Sequence, residues 1–165
     1  YFLNKKVEPK LETKKVISSD QITELQYLSS DTDGNTYLIK AESGTTSSEN
    51  KDIINLSNVS AKITLINNDE ILIFSNFAKY NTDNFDTDFS ENVKAFYNIH
   101  ELKCENIIVK FSENYAKIYE KVVYDNKITK LYADKIEIDL IKRTSKISMY
   151  ENKKKVKITH NNGIN

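Results

Sequence analysis

Apolar and polar residues alternate in short runs over most of the chain, and the alternation has a period of two. In residues 57–65, Val59, Ala61, Ile63 and Leu65 share one face. Val93, Ala95 and Tyr97 do so in 92–97, and Ile107, Val109 and Phe111 in 106–112. The cleanest run is 135–140, where Ile136, Ile138 and Leu140 alternate with Lys135, Glu137 and Asp139. Period two with β-branched residues predicts half-buried antiparallel strands, one face on a core and one in water. On a helix Ile136, Ile138 and Leu140 would step by about 200° and share no face. Burying one such Ile or Leu contributes about 1.5–3 kcal/mol, so a three-residue face can fix its strand's register.

The runs divide the chain into a polar lead-in, 1–20, that holds Pro9, a β-domain over 21–160, and a tail, 161–165. Only 20–29 is ambiguous. Ile22, Leu25 and Leu28 suit a short helix, and the same residues read as an irregular first strand; little other helix is expected. The runs also repeat weakly. Val59, Val93, Val122 and Ile147 each open a predicted strand after a polar turn, and Phe74, Leu102 and Leu131 open a second set. Leu102-x-Cys104-Glu105-x-Ile107 and Leu131-x-Ala133-Asp134-x-Ile136 share a pattern. Two strands per repeat of about 25–34 residues point to a stacked β architecture, solenoid-like or a long jelly roll. Its terminal strands would keep a free edge.

Composition narrows the function classes. Of 165 residues, 24 are basic and 24 acidic, which gives no general attraction to nucleic acid or anionic lipid. A single cysteine, Cys104, excludes an intramolecular disulfide and a Cys-cluster zinc site. No apolar run approaches the ~18 residues that span a bilayer. Tyr1-Phe2-Leu3 ahead of Asn4-Lys5-Lys6 reads as the exit from a removed anchor helix or signal, or as an arbitrary boundary.

Candidate chemistry is sparse. Asp31, Asp33, Asn35 and Glu42 fall at positions 1, 3, 5 and 12 of a calcium-loop spacing. Thr36 stands where the loop wants glycine, and no apolar helical face follows, so a turn at Gly34-Asn35 is the competing reading. Asp83, Asp86, Asp88 and Glu91 read as solvated carboxylates rather than a cation site. His100 with Cys104 suggests a Cys/His pair, but Cys104 matches Ala133 in the repeat and reads as a small buried residue. No nucleophile elbow, phosphate loop or zinc-protease motif is present. The chain reads as non-enzymatic and cofactor-free.

The order of segments carries a resemblance. It runs through Asp31-Thr32-Asp33-Gly34, Tyr37-Leu38-Ile39-Lys40-Ala41-Glu42 and Leu56-Ser57-Asn58-Val59-Ser60-Ala61. It continues through Ile73-Phe74-Ser75-Asn76-Phe77-Ala78, Phe89-Ser90-Glu91-Asn92-Val93 and Leu131-Tyr132-Ala133-Asp134. Over about 22–158 this resembles the LptC-type periplasmic domain of lipopolysaccharide export, within the OstA/LptA-like family. The family's glycine at several strand entries is Ser, Asn or Lys here. The resemblance implies an all-β, twisted two-sheet antiparallel jelly roll, held to the inner membrane by an N-terminal helix. It implies a carrier that receives lipopolysaccharide from an ABC transporter at its N-terminal edge and passes it to an LptA-like bridge protein. No nucleic acid is expected as a partner. An LptA-type soluble bridge, a carbohydrate-binding or adhesion β-domain and a small β-scaffold hydrolase are the alternatives.

Two sets of residues follow from alternation and resemblance together. Ile39, Val59, Ala61, Ile63, Ile73, Val93, Ala95, Ile107, Val109, Phe111, Ile118, Leu131, Ala133, Ile136, Ile138, Leu140, Ile147 and Met149 are expected to point inward, a subset touching acyl chains. A last strand over about 154–160, with Lys154, Lys155, Val156, Lys157 and Ile158, is expected to offer its free edge to the bridge protein.

Overall fold

The computed structural model describes residues 8–9, 17–18, 21–30 and 33–160. Among them it forms strands and turns and no helix, as the period-two pattern predicts. The strands are β1 (Glu8–Pro9), β2 (Ile17–Ser18), β3 (Gln21–Ser30), β4 (Thr36–Thr46), β5 (Ile53–Thr64) and β6 (Glu70–Asn81). They continue as β7 (Thr87–Tyr97), β8 (His100–Lys110), β9 (Tyr115–Asp125), β10 (Thr129–Asp139), β11 (Thr144–Ser148) and β12 (Lys157–His160). The ambiguous segment 20–29 therefore resolves, over 21–29, as strand β3, and Asp20 lies outside the described residues. Residues 1–3 and the tail 161–165 lie outside the described residues.

All twelve strands belong to one antiparallel sheet, and from β3 to β11 each strand pairs with the next in sequence. β1 and β2 pair with β3. β11 and β12 share the last edge, β11 beside residues 135–139 of β10 and β12 beside 129–132.

What makes one sheet behave as two is a line of irregularities through the middle of the long strands. In Ala41-Glu42-Ser43-Gly44, Leu56-Ser57-Asn58-Val59, Ser75-Asn76-Phe77-Ala78, Cys104-Glu105-Asn106-Ile107 and Ala133-Asp134-Lys135-Ile136, two residues separate successive buried positions, where a straight strand has one. β7 and β9 insert three, at 90–92 and 119–121. Registers shift at these points. Asn58, Glu91, Asn92, Glu120 and Lys121 take positive φ there, the signature of bulges that bend a strand. The bent strands fold the sheet into two facing halves. Tyr27 on β3 meets Tyr80 on β6, ring centroids 4.8 Å apart, although β4 and β5 lie between them in the sheet. Tyr37 on β4 meets Phe111, just past β8, at 4.7 Å edge to face.

This bending corrects the strand boundaries expected from the repeat. Val59, Val93 and Val122 do not open strands; they sit inside β5, β7 and β9 at the bend. Phe74 lies within β6 and faces outward, and Ile147 falls late in β11. A bulge keeps ladder hydrogen bonds on both sides, so a polar pair that reads as a turn is a corner within one strand.

Inward residues stack in register across each half. Tyr27, Ile39, Ala61, Ile73, Ala95, Leu102, Tyr124, Leu131 and Ile158 form one row in the first half. Gly44, Leu56, Ala78, Phe89, Ile107, Ile118, Ile136 and Ile147 form its counterpart in the second. Directly opposite Cβ atoms in such rows lie about 4.5–5.5 Å apart, so each row is a continuous apolar band.

Candidate functional site

The two bands face each other like the walls of a groove whose floor is the bend. Of the expected inward residues, Ile39, Val59, Ala61, Ile73, Val93, Ile107, Val109, Ile118, Ala133 and Ile136 are buried in one core. Ile63, Ala95, Phe111, Leu131, Ile138 and Met149 are half-buried against it. Leu140 and Ile147 remain 40% and 39% exposed. The bands are thus covered toward β3 and β4 and lose their cover toward β10–β12, where Ile158 ends its row 56% exposed.

The groove's mouth changes in the same direction. Between β4–β6 and β7–β8 the Tyr37–Phe111 contact leaves only about 20 Å³, lined by Ile39, Ala61, Ile63, Ile73, Phe89 and Val109 among others. That is about the size of one water and too small for an alkyl chain. Further along, a cavity of about 490 Å³ opens between Leu65, Ile71 and Tyr97 of one half and Ile138, Leu140 and residues 143–145 of the other.

Sequence alternation missed Leu56, Ala78, Phe89 and Val122, all buried in the core. Each lies next to a bulge, where the phase of the alternation resets. The polar pair flanked by apolar residues is the signal that locates them.

The expected chemistry at polar positions resolves into structure-holding contacts. Asp31 and Thr32 lie outside the described residues. Gly34 takes φ +93 in the β3–β4 turn, and Asn35 Oδ1 accepts a hydrogen bond from the Ile66 N–H at 3.0 Å. Glu42 sits on β4 at the bend and accepts a hydrogen bond from Asn58 Nδ2. It stands seven residues beyond Asn35, about 20 Å along a strand, so it does not close a calcium loop. Asp86 is buried rather than solvated, which corrects that reading. Its carboxylate accepts bonds from the Ser112 N–H at 3.4 Å and from the Ser112 hydroxyl, and Lys110 Nζ lies 3.8 Å away. Lys110 Nζ also lies 3.5 Å from Asp88. Among the described residues no three His, Cys, Asp or Glu side chains converge as a metal site.

Cys104 is buried opposite Val93, and its thiol donates to the Asn106 carbonyl at 3.4 Å. Burial pushes that thiol up to about 12, the opposite of an activated nucleophile. His100 stacks between Tyr97 and Tyr124 and shares a 2.6 Å hydrogen bond with the Tyr124 hydroxyl. Four residues of strand, about 13 Å, separate it from Cys104.

The outer side of the bend is polar and cross-linked. Asn106 Nδ2 donates to Glu120 at 3.0 Å, and Lys121 Nζ donates to Glu105 at 2.9 Å, which holds the Glu105 carboxyl below its ordinary range. At the far edge, β12 is shorter than expected. Lys154 belongs to a turn closed by its N–H to the Glu151 carbonyl, and Val156 packs against the core ahead of the strand. Only Lys157 and Ile158 of the expected edge set lie in β12, which among the described residues pairs with β10 alone. The chain leaves β10 at the bend between Ser148 and Lys157, so one long edge strand is replaced by two short ones.

Among the described residues no helix is long and apolar enough to cross a membrane. No protein-family model matches the chain, and no curated protein matches it at a significant level.

Proposed function

We propose that the chain is a non-enzymatic carrier of lipopolysaccharide, of the LptC type that its segment order resembles. The two apolar bands shield acyl chains while the sugar head stays in water. The observation that carries the reading is their uneven cover: the bands run in register across both halves and emerge uncovered at the C-terminal edge. A monomer folded only for stability gains nothing from extending an apolar band to an open edge. A partner of the same architecture, paired along β11–β12, would continue both bands without a polar break. On this reading the domain stands in the periplasm, anchored in the inner membrane. An ABC transporter loads it from the β1–β3 side, and an LptA-like bridge protein accepts its cargo at the β11–β12 edge. The energy of transfer comes from the transporter, because lipid passage along a groove involves no covalent step.

The test is displacement of a groove-bound fluorescent lipid from the purified chain. Lipopolysaccharide is expected to displace it, and the same saccharide freed of acyl chains is not. Equal binding of the acyl-free saccharide would overturn the carrier reading in favour of a carbohydrate-binding domain.

A further inference from the structure

The cavity at the open mouth differs from the groove behind it in carrying a charge. Its walls are Leu65, Ile71, Tyr97, Ile138 and Leu140, and the turn between β10 and β11 brings Arg143 to its lining. Arg143 is the chain's single arginine and takes φ +54, which turns the backbone at the rim of the cavity. Among the described residues no carboxylate pairs with it. The one acid in the lining, Asp139, is already engaged by the Ile141 and Lys142 backbone N–H groups at 3.0 and 2.8 Å and by Lys142 Nζ at 3.5 Å. The lining of this apolar chamber therefore includes one arginine with no carboxylate partner among the described residues, followed by Thr144 and Ser145.

That combination selects a ligand by chemistry. A guanidinium at a partly apolar site binds a phosphate or carboxylate in a forked geometry. A volume near 490 Å³ lies within the roughly 300–1,000 Å³ of small-molecule sites and, at about 30 Å³ per water-sized group, holds one alkyl chain rather than several. We propose that the β10–β11 mouth is a site for a single-chain anionic amphiphile, its chain between Ile71 and Ile138 and its phosphate or carboxylate on Arg143. This rests on the lipid-carrier reading and adds to it a defined anchor on the exit side: an anionic head is held at the rim while its chain lies between the bands.

The test is isothermal titration of the purified chain with dodecyl phosphate below its micelle concentration, beside inorganic phosphate and uncharged dodecyl maltoside. Dodecyl phosphate is expected to bind. Arg143→Gln is expected to weaken it by about tenfold, the equivalent of one charge-assisted hydrogen bond, and to leave dodecyl maltoside unchanged. Ile138→Lys, with folding checked by circular dichroism, is expected to remove binding of both amphiphiles at the mouth. If inorganic phosphate bound as tightly as dodecyl phosphate, the site would be a plain anion site and the proposal would fail. If dodecyl phosphate bound equally well to Arg143→Gln, the mouth site would fail while the carrier reading survived. If neither amphiphile bound, both would fail.

Discussion

Removing the Phe111 ring should open the closed side of the groove. Phe111 lies edge to face on Tyr37 at 4.7 Å and roofs the 20 Å³ space above Ile39, Ala61, Ile63 and Ile73. It is half-buried, so Phe111→Ala loses about half the 1.5–3 kcal/mol of a fully buried side chain, about 1 kcal/mol. The aromatic pair adds about 0.5–1.5 kcal/mol. A further cavity penalty is small, because the vacated space opens to solvent at the mouth. The total is about 2 kcal/mol, or about 4–8 °C in Tm for a chain of this size. With no tryptophan in the chain, urea unfolding followed by circular dichroism reads the change. A double-mutant cycle with Tyr37→Ala isolates the pair's share. The functional readout is a photocrosslinking residue at Ile63, which in the parent should give almost no lipid adduct and in Phe111→Ala should give a strong one. A parent chain that already crosslinked lipid at Ile63 as well as at Ile138 would refute the closure. So would a Phe111→Ala variant that lost stability without gaining the adduct.

Three further outcomes follow from particular contacts. Gly44→Ala should destabilise by about 1–3 kcal/mol by overpacking, since a Cβ there would lie 2.3 Å from Leu25 Cδ1 and 3.0 Å from Leu56 Cδ2; combining it with Leu25→Ala should cost clearly less than the sum in urea titrations. Alkaline pH should unfold the chain: burial raises Cys104 from 9.0 and Tyr80 from 10.0 to about 12 each, and raises Tyr27 as well. The unfolded state therefore loses these protons first, so the contribution of these groups is constant up to about pH 8 and falls toward pH 12, and Tyr80→Phe should flatten part of the decline in urea midpoints measured against pH. Ile158→Pro removes a ladder position from β12 without touching the buried core; it should abolish pull-down of an LptA-like bridge domain while thermal unfolding changes little, and undiminished pull-down would refute docking at this edge.

The all-β class was legible because alternation such as Ile136–Ile138 and Ile107–Val109 survives within each half-strand. The length of the strands was not. Ser57-Asn58 ahead of Val59 looks like a turn to a reader counting polar residues, yet it is a corner at which the ladder continues. The shared Leu102…Ile107 and Leu131…Ile136 pattern was the trace of such corners: both span a bend and place Cys104 and Ala133 in equivalent buried positions. The groove residues were legible as inward-facing but not as covered or open, because that depends on which strand of one half lies over which strand of the other. The Tyr37–Phe111 closure joins elements with three strands between them in the sheet, a pairing no local pattern encodes. The site proposed at Arg143 was not legible for a related reason: it depends on the walls that Leu65, Ile71 and Tyr97 bring to that residue.

On the proposed reading, acyl chains lie between the two apolar bands on their open side. Photocrosslinking residues placed singly along the chain, exposed to lipopolysaccharide and read by gel shift, test it directly. Strong adducts are expected at Leu131, Ile138 and Ile158, weak ones at the fully buried Val93, and none at Lys94 and Lys103 on the outer face. Adducts confined to Lys94 and Lys103, or none at any inward position of the folded chain, would contradict the account.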